Sequence, residues 1–261
     1  IIVADDCSNT ELSRLKLINQ LSNSKLIKPQ HNLGRAKIRN FLADKSHYNY
    51  LLFLDSDSYP ADNNFIKKYI EFTHQNITIL GGRIYNKAQD EHHTLLTKYG
   101  IAKERNNYPI HISNAPFTSP NFLIPKDIFN KIRFNENIKG YGHEDTIFGI
   151  ELSRLNIPYY RFDNPIIHLQ IEDNQTFIHK TNESIQNLYN IYKTQQYPEI
   201  QTLSPVLNLY TKIKKFHLVH TFISVVVVIF NISQNLNSFI SKKKWLEIRS
   251  KSLQKLSHKL M

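Results

Sequence analysis

Tyr50-Leu-Leu-Phe-Leu-Asp-Ser-Asp57 is an apolar run that ends on two carboxylates, and it reads as a strand that delivers acidic side chains to the end of a sheet. Working outward from it, short apolar runs alternate with helical patterns as far as residue 169. That alternation predicts an α/β fold with a mostly parallel sheet and helices on both faces. The clearest strands are expected at 1–4, 50–54, 77–80 and 166–169, and the clearest helices at 12–21, 36–43, 65–72 and 146–155. In sheets of this kind ligands lie beyond the carboxyl ends of the strands, which directs attention to Asp5-Asp6 and to Asp55-Ser-Asp57.

From Asn174 onward the pattern turns helical, with Phe177, Ile178, Ile185, Leu188 and Ile191 as a stripe behind the cap candidates Asn174 and Thr176. Pro198 and Pro205 punctuate a connector, so the chain is expected to divide into a domain at 1–197 and a basic helical extension at 198–261. The 261 residues are 41% hydrophobic and 21% charged, which suits one medium α/β domain with an appendage and excludes a disordered or fibrous chain.

The net charge of +11 would ordinarily suggest nucleic acid or an anionic membrane. Residues 210–261, however, hold ten Lys and Arg against Glu247 alone, so nine of the eleven surplus charges belong to the tail and the rest of the chain is near neutral. Without an aromatic-rich recognition motif the charge does not point to nucleic acid. The run Phe222-Ile-Ser-Val-Val-Val-Val-Ile-Phe230 is too short to cross a bilayer unaided. Followed by Lys242-Lys-Lys-Trp-Leu-Glu-Ile-Arg249, it predicts an in-plane anchor on an anionic membrane surface, with helix packing as the bland alternative. Cys7 is the lone cysteine, so a reducing, cytoplasmic setting is expected, and the tail predicts a peripheral place on the inner face of the cell membrane. The opening directly in a strand at Ile1, with no initiator Met, leads us to expect a truncated amino end.

Four constellations carry candidate chemistry. Asp55 and Asp57 are spaced to reach a hard divalent cation and a diphosphate, although acids at strand ends are often turn formers. Asp5 and Asp6 precede Ser8, an arrangement that suits a base or ribose acceptor but on its own reads more readily as an Asx turn with a helix cap. Asn32-Leu-Gly-Arg-Ala-Lys-Ile-Arg-Asn40 sets a glycine before a helix and places Arg35 and Arg39 on one face, which suits a phosphate or plain helix surface. Gly140-Tyr-Gly-His-Glu-Asp-Thr146 leads from a glycine-rich loop into a helix with two acids at its start, where capping alone needs one.

Together with Ser119-Pro-Asn-Phe-Leu-Ile-Pro125, and in this order, these segments resemble the family 2 glycosyltransferases and in part the animal β-galactosyltransferases, over most of residues 1–170. The resemblance implies the Rossmann-like GT-A fold, with a further strand and helix before the equivalent of Ile1. It also implies an inverting transfer from a nucleotide sugar, a UDP-sugar being favoured, to a glycan or lipid-linked acceptor in cell-surface polysaccharide synthesis. By the same resemblance Asp5 and Asp6 hold the nucleoside, Arg35 the pyrophosphate and Asn121 the donor sugar. Asp55, Asp57 and His168 hold Mn2+ or Mg2+; Asp145 is the general base and Glu144 orients the acceptor. The rival readings are a nucleotidyltransferase, disfavoured by the Gly-His-Glu-Asp segment, and a non-catalytic membrane-surface protein driven by the tail.

Overall fold

The computed structural model describes residues 1–8, 16–85, 90–103, 117–169 and 171–214. The expected helix at 12–21 is described only in part, as a short 3-10 turn at Leu17–Gln20, and the apolar and basic elements of the tail lie outside the described residues.

The central sheet is built from β3 (Tyr50–Leu54), β5 (Thr78–Leu80), β7 (Asn121–Pro125) and β8 (Tyr159–Arg161), in the order β3-β7-β5-β8. β7 runs antiparallel to both β3 and β5, while β5 and β8 are parallel. The expectation of a mostly parallel sheet is therefore corrected to a mixed one. The physical reason is β7, which enters the middle of the sheet from the opposite end, so its neighbours pair with a reversed strand. β1 (Ile2–Ala4) and β2 (Lys25–Ile27) form a separate parallel pair. β4 (Ser58–Pro60), β6 (Arg83–Tyr85) and β9 (Ile166–His168) form a third sheet in the order β4-β9-β6.

Helices cover both faces of the central sheet, as expected, and the period-two alternation of the strands assigns each residue to a face. Leu51, Phe53, Leu80, Phe122, Ile124 and Tyr159 meet α1 (Gly34–Lys45), α4 (Lys126–Ile132) and α5 (Glu144–Arg154) through Ala36, Ala43, Phe129, Phe148 and Leu152. Ile79, Leu123 and the half-buried Tyr50, Leu52 and Tyr160 point the other way, onto Phe65 and Tyr69 of α2 (Phe65–Ile70). Phenylalanine rings dominate the first face: Phe53 stacks on Phe122 with centroids 4.7 Å apart, and Phe134 on Phe148 at 4.5 Å.

Around this slab lie α3 (Thr94–Lys103), α6 (Asn174–Thr194) and α7 (Ile200–Leu203), and α8 (Pro205–Lys214) follows them in the chain. Asp173, not Asn174 or Thr176, caps α6, accepting from Gln175 N and Thr176 N at 2.8 and 2.9 Å. Asn174 instead ties α6 to α3, its Oδ1 accepting from Leu95 N at 2.9 Å. The first compact unit ends at Leu203 and the second begins at Ser204 with α8. Among the described residues no helix is long and apolar enough to cross a membrane.

Candidate active site

Asp5 and Asp6 end β1, and local structure uses both carboxylates. Asp5 accepts from Ser8 N at 2.9 Å and pairs with Lys28 at 2.9 Å; these contacts, Ser8 foremost, hold its carboxyl down at about 2. Asp6 accepts from Leu33 N and Gly34 N at 2.6 and 2.9 Å, capping the amino end of α1 with a negative charge where the helix dipole favours one. Gly34 has φ +76°, a conformation open to glycine at little cost, and it lets the chain turn from Asp6 into α1.

The 12-residue helix α1 presents the stripe Ala36, Arg39, Asn40 and Ala43 to the interior. Arg39 is only 7% exposed and forks between two carboxylates: Nη1 donates to Glu144 Oε1 and Nη2 to Asp55 Oδ1, both at 3.1 Å. Glu144, itself buried, receives a second cation on the same oxygen, Arg35 Nε at 3.2 Å. Arg35 also lies over the Tyr141 ring at 5.0 Å. Arg83, at the start of β6, approaches the other oxygen of Asp55 at 3.8 Å. The end of β3 and the start of α5 are thus joined through arginines. Of these cations the sequence singled out only Arg35 as a site residue. The signal for Arg39 was available, because a charged residue interrupts an otherwise small and buried helical stripe.

Asp57 faces His168 across the β4-β9 pairing, in which Ser58 is the register partner of His168. His168 Nδ1 lies 3.5 Å from Asp57 Oδ1, and the histidine is 6% exposed with no hydrogen-bond partner for that nitrogen among the described residues. An orphaned buried imidazole nitrogen aimed at a carboxylate fits a divalent cation as the absent partner. Burial alone would raise the Asp57 carboxyl, but His168, Arg83 and Ser58 outweigh it and hold it below the usual range, in the ionised form a cation needs. Asp55 is not brought into this pair. Among the described residues no three His, Cys, Asp or Glu side chains gather as a closed metal cage. Two protein ligands do suit a Mg2+-like ion that takes its remaining oxygens from phosphate and water.

Asp145 follows Glu144 at the start of α5, half-buried and accepting from Thr146 N at 2.7 Å. Among the described residues it forms no ion pair. Burial first, and the adjacent Glu144 second, push its carboxyl up to about 7, against the opposing pull of Arg39 and Arg35. The loop before it is pinned to α6: His143 Nε2 sits 3.0 Å from Ser184 Oγ, and Asn187 Nδ2 donates to Gly142 O at 2.7 Å. Gly142 at φ +85° has no room for a side chain, since a Cβ there would come within 2.8 Å of Ser184 Oγ.

Asn121 begins β7 opposite Leu54, and its side chain is committed to the fold. It is 2% exposed; its Oδ1 accepts from Tyr69 OH at 2.6 Å, and its Nδ2 donates to Gly82 O and Asn164 O at 2.9 and 2.8 Å. Both amide hydrogens are therefore committed inside the fold. A cavity of about 540 Å³ runs along the Thr146, Gly149 and Ser153 stripe of α5, and none of the expected site residues lines it.

The model of the family described as Glycosyl transferase family 2 matches residues 1–133 of the chain, and no curated protein matches it significantly. Among solved structures, GalNAc-T7 with UDP, GalNAc and Mn2+ superposes with a TM-score of 0.50 at 16% identity, over 66% of this chain and 37% of that one. TarS from S. aureus, residues 1–349, gives a TM-score of 0.44 at 20% identity over 64% of this chain and 50% of that one. The complex of that fragment with UDP-GlcNAc gives 0.44 at 19% identity, over 66% and 50%. The chain thus spans half or less of the length of these structures, and at such identities the first likeness speaks for the fold alone. The family match covers just over half of the 261 residues and contains the β1, α1 and β3 motifs, so the chain belongs to glycosyl transferase family 2 and has its GT-A fold.

Proposed function

We propose that this chain transfers a hexosyl group from a UDP-sugar to a hydroxyl of a glycan or lipid-linked acceptor, with inversion and dependence on Mn2+ or Mg2+, in cell-surface polysaccharide synthesis. One observation carries the reading: the carboxylate of Asp145, without an ion pair among the described residues, stands beside an arginine-bridged Glu144 and Asp55, in a family 2 chain that also presents the Asp57-His168 pair. Asp57 and His168 would hold the divalent cation, which when bound neutralises charge on the departing diphosphate.

In the transfer an acceptor oxygen bonds to the anomeric carbon from the face opposite the diphosphate, the bond from that carbon to the diphosphate oxygen breaks, and Asp145 takes the acceptor proton. A carboxyl pushed up to about 7 suits this step, since a base poised near the working pH is ionised yet holds a proton well. Arg35, with its side chain 42% exposed, has donors to turn toward a pyrophosphate while it stays on Glu144. Asp5 and Asp6 would face the nucleoside with the oxygen lone pairs that Ser8, Lys28 and α1 leave open. Asn121 would touch a donor sugar only through its carbonyl oxygen.

The test is thermal stabilisation by a panel of nucleotides with and without Mn2+, followed by hydrolysis of the UDP-hexoses that bind. We expect UDP with Mn2+ to raise the melting temperature and EDTA to cancel the rise. Release of pyrophosphate from a nucleoside triphosphate would instead favour a nucleotidyltransferase. For residues 198–261 we propose a peripheral anchor on the inner, anionic face of the membrane, because ten cationic residues and an apolar run share that segment, each cation contributing about 1 kcal/mol near such a surface.

A further inference from the structure

Arg39 cannot easily swing toward a ligand. Its guanidinium lies over the Phe134 ring at 5.3 Å, and the neighbouring Asn40 clamps the Phe134 backbone from both sides, Nδ2 donating to Phe134 O at 2.9 Å and Oδ1 accepting from Phe134 N at 3.0 Å. Phe134 is itself buried against Phe148 of α5. From this fixed floor the two ends of the fork reach residues 16 and 105 positions away along the chain. A lysine at this position would offer a point charge to one carboxylate or the other, not a planar fork to both.

We propose that Arg39 is a positioning residue of the transfer site: its guanidinium holds Asp55, at the end of β3, and Glu144, at the start of α5, in one fixed relation, so that the donor side and the base-bearing helix meet in register. The inference rests on the transfer reading above. It gives Glu144 a different weight as well. One Glu144 oxygen takes both Arg39 and Arg35, which makes that carboxylate the counter-ion that seats α5 and leaves Asp145 as the acid on that helix free to exchange a proton. A register error of about 1 Å between reacting groups is enough to slow a reaction on the order of a hundredfold, so a loosened fork should show in turnover before it shows in binding.

The experiment compares the parent chain with Arg39→Lys. UDP binding in the presence of Mn2+ is measured by calorimetry, and kcat and KM by hydrolysis of UDP-glucose, UDP-galactose and UDP-N-acetylglucosamine in parallel. We expect one UDP site per chain in both proteins, KM within about threefold, and kcat lower by at least about tenfold in the variant. A kcat within twofold of the parent overturns the proposal, as does a fall in kcat matched by an equal loss of UDP sites, which marks a merely structural role. If Arg39→Lys does not fold, the double variant Arg39→Gln with Glu144→Gln removes both buried charges together and is judged by the same split. A parent chain that binds no UDP and hydrolyses none of the three sugars fails in a distinguishable way: it removes the transfer reading and this inference with it.

Discussion

Replacing Asn121 by Ala separates a donor-sugar ligand from a structural latch. Its amide serves three buried partners, but not equally. Gly82 O keeps Ile166 N–H as a donor at 3.2 Å, so the loss falls mainly on Tyr69 OH, left without its acceptor, and on Asn164 O. Two buried polar groups left unmatched cost about 1–3 kcal/mol each, so the expected destabilisation is about 4 kcal/mol. For a unit of this size that corresponds to a fall of roughly 10 °C in melting temperature. The site has little slack for repair: a Cβ on Gly81 would already stand 2.0 Å from Tyr69 OH and 2.4 Å from Asn121 Nδ2. The assay is thermal unfolding, paired with calorimetric binding of UDP and of a UDP-hexose to the folded fraction. The latch account expects a large stability loss with UDP-hexose binding per folded molecule unchanged. A melting temperature within a degree of the parent, together with a loss of the affinity that the hexose adds to UDP, would refute it and favour the sugar-binding role.

Asp145→Asn is expected to retain UDP binding and to slow transfer by at least about 10²-fold, the scale of losing a general base, as read by steady-state kinetics. In the parent the rate should climb with pH up to about 7 and level off above it, because the base works ionised and its carboxyl is pushed up to about 7. The stability sign is opposite: folding favours the protonated form, so this group's contribution weakens as pH rises from the ordinary 3.8 toward about 7, and Asp145→Asn should unfold later than the parent at pH 8. Asp57→Ala and His168→Ala should each weaken Mn2+ binding, measured by Mn2+ titration of the UDP-induced melting shift, with the Asp57 variant keeping its melting temperature because that side chain is 36% exposed. Removing residues 210–261 should abolish sedimentation with anionic liposomes at low salt while leaving UDP binding intact; unchanged liposome binding would dispose of the anchor.

The parts of this protein legible in its sequence are those whose physics is local. β3 announces itself as an apolar run, α1 and α5 by their periodicity, and the acids after β1 and β3 by standing at strand ends. β7 escaped as a strand because Pro120 and Pro125 bracket it like a loop, and its reversed pairing with residues some 70 positions earlier leaves no mark on neighbouring residues. Arg39 was visible as one of two basic residues on a helix face, but its partners lie in β3 and α5, and only the fold brings them within reach. Asn121 shows the converse. A motif placed it correctly at the sheet, yet the hydrogen bonds that occupy its amide come from Tyr69, Gly82 and Asn164, none of them adjacent in sequence.

The reversed direction of β7 has a consequence for how this scaffold can diversify. The chain leaves the third sheet at Tyr85, the register partner of His168, and returns to the central sheet at Asn121, the register partner of Leu54. Tyr85 and Asn121 therefore both stand beside the carboxylates, and both are fixed by strand pairing. Lengthening a loop held at its two ends costs little, about 0.6 kcal/mol for each doubling. Insertion between these two anchors is thus expected to leave the paired strands, and the carboxylates beside them, in place.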